Sequence, residues 1–212
     1  MAAVSRAARE AEVLRETRET RISVRLTLDG SGQASIATGI GFYDHLLTSL
    51  AHHSLFDLWI EAEGDLHIDE HHTVEDIALS LGETLSRALG DRAGIERFGE
   101  ASVPMDESLA TCVLDLSGRP YAVLDLPFHG ERVGALPTQL VEHALESLAR
   151  TAGATLHLRA SGRNDHHMAE ASFKALARAL RRAVSIDLRR TGVASTKGTL
   201  EFRPSTSTES DE

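Results

Sequence analysis

Two stretches repeat an order of groups that can hold a metal ion. "DEHHTVED" (69–76) and "NDHHMAEA" (164–171) each read His-His-x-x-Glu. On a helix, residues four apart share a face, so His71 and Glu75 can grip one ion together, as can His166 and Glu170. His72 and His167 are turned by about 100° from their neighbours and would serve a second ion. Two copies therefore imply two sites, each needing ligands from beyond its own helix. His45 and His143 lie at matching places on two shorter helical segments and are the natural additions. Each ion would then collect three imidazoles and one carboxylate. This nitrogen and oxygen set, without thiolate, fits Mn²⁺, Fe²⁺, Co²⁺ or Zn²⁺ and argues against thiolate-rich structural zinc. Four protein ligands with two open octahedral positions suit manganese. Of the 11 histidines, His67, His129 and His157 lack such partners and read as surface or packing residues, as does the His52-His53 pair taken alone.

The elements that must position these groups follow from periodicity. "TRISVRLTL" alternates as a strand, "DGSG" is turn chemistry, and "QASIAT" reads as the returning strand. "YDHLLTSLAHHS" has helical spacing, "LFDLWIEAEG" reads as a strand, and 69–90 is a long amphipathic helix stopped by Gly90. The second half repeats this order. "SLATCVLDLS" and "RPYAVLDLP" are strands, "PTQLVEHALESLARTAG" a helix, "ATLHLRASG" a strand, and "DHHMAEASFKALARALRRAV" a second long helix. Letters match as well: "LDGSG" with "LDLSG", "DHLLTSLA" with "EHALESLA", "EHHTVED" with "DHHMAEA". The expected fold is α+β, an internal duplication of a β-β-α-β-α unit with helices packed on one face of the sheets. Its expected divisions are a flexible arm (1–14), a first unit (15–94), a second unit (95–201) and a disordered tail (202–212).

Bulk composition limits the function classes. The 212 residues can bury a sizeable core, and 42% hydrophobic with 25% charged is ordinary for a globular chain. No apolar run reaches the length of a membrane helix, and the polar, acid-containing start lacks a secretory or transit pattern. Cys112 is the only cysteine; it reads as a buried small hydrophobe in a reducing, cytoplasmic setting. The net charge of −10 argues against nucleic acid as a partner, and an anionic substrate would need a local cationic cradle.

The motifs "RETRET", "GIGFYDHLLTSLAHHS", "DEHHTVEDIALSLG", "RFG", "DLSGRPY", "DHHMAEASFKALARAL" and "ASTKGTL" together resemble the imidazoleglycerol-phosphate dehydratase family, from about residue 15 to residue 201. The resemblance implies a fold of the ribosomal protein S5 domain 2-like type. It implies a cytoplasmic enzyme of histidine biosynthesis that removes water from imidazole glycerol phosphate to give imidazole acetol phosphate. It also implies a hollow twenty-four-subunit shell with two Mn²⁺ per active site at subunit interfaces. One ion would take His45, His72, His166 and Glu170; the other would take His71, Glu75, His143 and His167. His71 and Glu170 would thus act in catalysis as ligands. Glu19, in "RETRET", would carry the proton beside the substrate, with Glu16 as its local competitor. Arg97, Arg119 and the Ser195-Thr196-Lys197-Gly198 run match the family's phosphate-binding positions, and His53 and Lys174 would reach the substrate. The length, and the lack of an Asp-x-Asp phosphatase motif, fit a monofunctional chain.

The chemistry suits such a site. The leaving hydroxyl sits next to the imidazole ring, and the proton one carbon further on is not acidic. A ring deprotonated between two cations can push electrons out and expel the hydroxyl. Metals lower the pKa of bound water from about 15.7 to about 7, roughly 12 kcal/mol. A lone general base typically gives only about 10²–10⁴-fold. Two other readings fit the ligands: a dimetal hydrolase of a phosphorylated or amide substrate, and a non-enzymatic metal-held shell. Neither a ketone product nor a need for Lys197 would follow from the shell.

Overall fold

The structure, a computed structural model, describes residues 8–200. The expected tail, 202–212, lies outside them, as do residues 1–7 of the expected arm. The first half runs β1 (Glu10–Glu16), β2 (Thr20–Thr27), β3 (Ala34–Ala37), α1 (Gly41–Ser54), β4 (Asp57–Gly64) and α2 (His71–Leu89). The second runs β5 (Phe98–Met105), β6 (Ser108–Asp115), β7 (Tyr121–Asp125), a small β8–β9 ribbon (Arg132–Val133, Leu136–Pro137), α3 (Thr138–Ala152), β10 (Thr155–Ser161) and α4 (Asp165–Ala183). The sheets have the same order, β1-β2-β4-β3 and β5-β6-β10-β7, each with one parallel pair at its far edge. The chain is α+β and duplicated, as expected.

The repeating unit nevertheless differs from the expected β-β-α-β-α. Each half opens with a further strand, making β-β-β-α-β-α. β1 starts at Glu10, inside the segment expected to be an arm. Both opening strands are edges; β1 buries only Val13, and β5 turns Gly99, Ala101, Val103 and Met105 inward while Phe98 and Pro104 sit on its exposed face, so apolar alternation is blurred in the sequence. The "QASIAT" strand does not return onto β2 either. It pairs in parallel with β4, which inserts between them.

The central strands show why the sheets form. In β2, Ile22, Val24 and Leu26 are buried while Arg21, Ser23 and Arg25 face outward; in β6, Ala110, Cys112 and Leu114 are buried. Each sheet therefore has one apolar face. α2 packs on the first sheet and α4 on the second, while α3 packs on α2 and α1 on α4. The crossed pairing lets all four helices share one core: Leu50, Leu81, Leu148 and Leu180, one from each, surround the same small void with Leu26 and Phe56. α4 is buried almost all round from Met168 to Leu180, broken only by Lys174 and Arg178. Its alanines permit that. A Cβ at Gly99 of β5 would stand 1.9 Å from the carbonyl oxygen of Ala179, so strand and helix backbones nearly touch.

Candidate active site

The crossed helices assemble two triads. His45 of α1 meets His166 and Glu170 of α4, with Nε2 atoms 3.4 and 3.2 Å from Glu170 Oε2. His143 of α3 meets His71 and Glu75 of α2: His143 Nε2 is 3.5 Å from Glu75 Oε1, and His71 Nε2 is 3.9 Å from Oε2. Each triad thus takes one imidazole from one half and a His–Glu pair from the other. The Phe42 ring, 4.8 Å from that of His166, backs the first triad. In the second, the His71 and His143 rings stack at 4.7 Å.

The donor set suits a divalent ion. His143 Nε2 is buried and has no hydrogen-bond partner among the described residues. Leaving such an atom unmet is costly, and an ion between His143, His71 and Glu75 would satisfy it. Each triad carboxylate also meets a cation outside the imidazoles. Lys174 Nζ is 2.7 Å from Glu170 Oε1, and Arg150 Nη2 is 3.2 Å from Glu75 Oε1. Burial alone would raise the Glu170 pKa. The hydrogen bonds and charges of Lys174 and His45 outweigh it and hold the carboxyl below its usual range. Lys174, expected at the substrate, is therefore engaged with a triad carboxylate.

His72 and His167 join neither triad. Their rings stand at 89° and 84° to those of His71 and His166, as the rotation along the helix dictates. His72 Nδ1 is 3.0 Å from Asp65 Oδ2 and 3.8 Å from Glu19 Oε2. His167 Nδ1 is 2.9 Å from Glu107 Oε2. That bond is the main reason the Glu107 carboxyl is held down to about 2.

Glu19 is exposed and stands beside His72 on the β1–β2 turn. The turn is pinned by buried Asp76 of α2, whose oxygens accept from Thr20 Oγ1 at 2.5 Å and Arg15 Nε at 2.8 Å. His53 sits near Lys174 and Arg178; burial, then the charges of His52 and those two cations, lower its pKa.

A separate open cavity of about 430 Å³ gathers Arg97, Ser117, Arg119 and Ala194–Lys197. No triad residue lines it. Its size falls within the range of small-molecule sites. Arg97 is nearly buried and largely spoken for. Nε and Nη2 grip Asp115 at 2.6 and 2.8 Å, and Nη1 donates to the Ala194 carbonyl at 2.5 Å. It holds the 194–197 loop in place, and Arg119 and Lys197 are the freer cations. Gly198 has φ +74°, a conformation that favours glycine.

One excursion steadies both long helices, α2 and α4. The acid just before each His-His pair is held by the segment between β7 and α3. Arg132 forks onto Glu70 at 3.0 and 3.1 Å. Asp165 accepts from the backbone N–H groups of His129 and Gly130 at 3.0 and 2.6 Å. His129, expected to be a surface or packing residue, also brings its Nδ1 to 3.2 Å from Asp165. Asp65, Glu107, Arg132, Arg150 and Asp115 escape a reading by spacing, because each meets its partner from a different element.

Fold and site together define a duplicated α+β protein with paired histidine–carboxylate centres and a cationic pocket. Residues 38–180 match the family described as imidazoleglycerol-phosphate dehydratase. The Methanococcoides burtonii imidazoleglycerol-phosphate dehydratase is 55% identical, over 91% of this chain and 100% of its own. The chloroplastic enzyme of that name from Pisum sativum is 55% identical over 91% of this chain and 69% of its own. The crystal structure of the Pyrococcus furiosus enzyme, 37% identical, superposes with a TM-score of 0.77, covering 88% of this chain and 99% of that one. The chain belongs to the imidazoleglycerol-phosphate dehydratase family. Among the described residues, no helix is long and apolar enough to cross a membrane.

Proposed function

We propose that the chain dehydrates imidazole glycerol phosphate to imidazole acetol phosphate with two divalent ions, manganese by preference, at a site completed by neighbouring copies. It is a dehydratase by family, a lyase of histidine biosynthesis. The observation that carries the metal-dependent reading is the pair of triads, each half-built by the other half of the chain. His45, His166 and Glu170 would hold one ion with a second copy's equivalent of His72. His71, Glu75 and His143 would hold the other with a second copy's equivalent of His167. When bound, the ions would supply Lewis acidity that acidifies the substrate ring's N–H, and the ring, once deprotonated, has the electron density to release its neighbouring hydroxyl.

The chain's own groups do the rest. Glu19, exposed and beside His72, takes the proton from the carbon next to the one losing oxygen. The resulting enol becomes the ketone. Arg119, Ser195, Thr196 and Lys197 hold the phosphate, with Arg97 fixing their loop. His53 lies where it can contact substrate hydroxyls. The cradle and the triads occupy different parts of one chain, which favours sharing between copies; the family resemblance is what suggests a closed shell of twenty-four. The lone, buried Cys112 fits a reducing cytoplasm.

Chelation followed by restoration tests the reading. Stripped enzyme should lose at least about 10²-fold in ketone formation and regain it with manganese. Activity that survives complete chelation would sink the metal-dependent mechanism.

A further inference from the structure

We propose that Asp65 and Glu107 are positioning residues that present His72 and His167, each through Nε2, to metal centres completed by another copy, and that Asp65 frees Glu19 for proton transfer. The inference rests on the dimetal reading above. A carboxylate can only accept, so the Nδ1 atoms of His72 and His167, 3.0 Å from Asp65 and 2.9 Å from Glu107, carry the ring protons. In a neutral ring the lone pair then lies on Nε2. Neither ring belongs to a triad of its own chain, and His167 Nε2 lies 3.8 Å from the exposed Asp106 carboxylate, beyond hydrogen-bond distance, so that lone pair is offered outward. A carboxylate behind a ligating imidazole fixes its tautomer and ring angle.

The internal symmetry of the chain strengthens the argument. Glu19 and Glu107 occupy equivalent places, each directly before the second strand of its half. Symmetry alone would give both the same task. Glu107 is fully committed: Oε2 faces His167, while Oε1 accepts from Ser108 Oγ and from the backbone N–H groups of Arg163 and Asn164. Glu19 stands back from His72 at 3.8 Å, because Asp65 has taken Nδ1. Asp65 has no counterpart in the second half. Six residues link β4 to α2, but only Gly162, Arg163 and Asn164 link β10 to α4, and none of these is an acid. The two halves therefore hold the same imidazole by carboxylates from different elements. In the first half this leaves the equivalent carboxylate, Glu19, free beside the site.

Manganese titration followed by electron paramagnetic resonance, alongside kinetics at saturating manganese, tests this on the assembled enzyme. Asp65→Ala and Glu107→Ala should each weaken manganese binding by about 10–100-fold. Asp65→Asn, which keeps an acceptor oxygen, should lose less. Glu19→Gln should leave manganese affinity unchanged and lower kcat. Asp65→Ala should also lower kcat at saturating metal, since Glu19 can then close on His72; Glu107→Ala should recover most of its kcat there. If the parent binds manganese and the two alanine variants match it within about twofold, the positioning role is overturned while the dimetal reading stands. A parent that binds no divalent ion overturns both. Equal kcat recovery in both alanine variants refutes the freeing of Glu19.

Discussion

Glu170 and Glu75 each meet two imidazoles and a cation, and this fixes what their loss should do. In Glu170, Oε2 faces His45 and His166 while Oε1 holds Lys174. In Glu75, Oε2 faces His71 while Oε1 meets His143 and Arg150. Glu170→Gln or Glu75→Gln should each remove one ion and spare the other, taking bound manganese from about two per chain to about one, as read by calorimetric titration. Retention of both ions in either variant would detach that carboxylate from metal binding. At this scale the sequence is candid about part of the site. His71 with Glu75 and His166 with Glu170 announce themselves by i, i+4 spacing. Asp65 and Glu107 do not, because a turn brings them to the imidazole and no periodicity encodes a turn's reach.

The elements tell the same story of near and far. Central strands and amphipathic helices are legible, since burial on one face imposes a period. β1 and β5 escape because β1 buries only Val13 and β5 sets a glycine, Gly99, on its buried face against exposed Phe98, which blurs the period. The excursion between β7 and α3 also escapes, although it steadies α2 and α4 through Glu70 and Asp165. Its Arg132 fork holds the Glu70 carboxyl below its usual range. A carboxylate depressed in the folded state lends stability above its unfolded pKa, and that stability is lost as acid protonates it. Arg132→Ala should therefore melt below the parent at about pH 7, and the gap should shrink toward about pH 3. A gap that stays constant, followed by circular dichroism at both pH values, would assign Arg132 a role other than pairing with Glu70.

For the whole molecule, matching letters in the two halves reveal the repeat, but not that each triad straddles it. Straddling follows from α1 crossing to α4 and α3 crossing to α2, contacts too distant in sequence for local pattern to record. If copies share sites as proposed, His45→Ala and His143→Ala chains damage opposite sides of each site. Each variant alone should be inactive, whereas equal mixtures unfolded and reassembled together should regain about a quarter of parental activity by random pairing. No recovery from a properly reassembled mixture would confine each site to one chain. The crossing also speaks of origins. A half-length peptide alone has nothing to complete either centre, yet two identical ones facing each other about a twofold axis would build both. The present chain has the form such a homodimer takes once its gene is duplicated and the copies are joined in tandem.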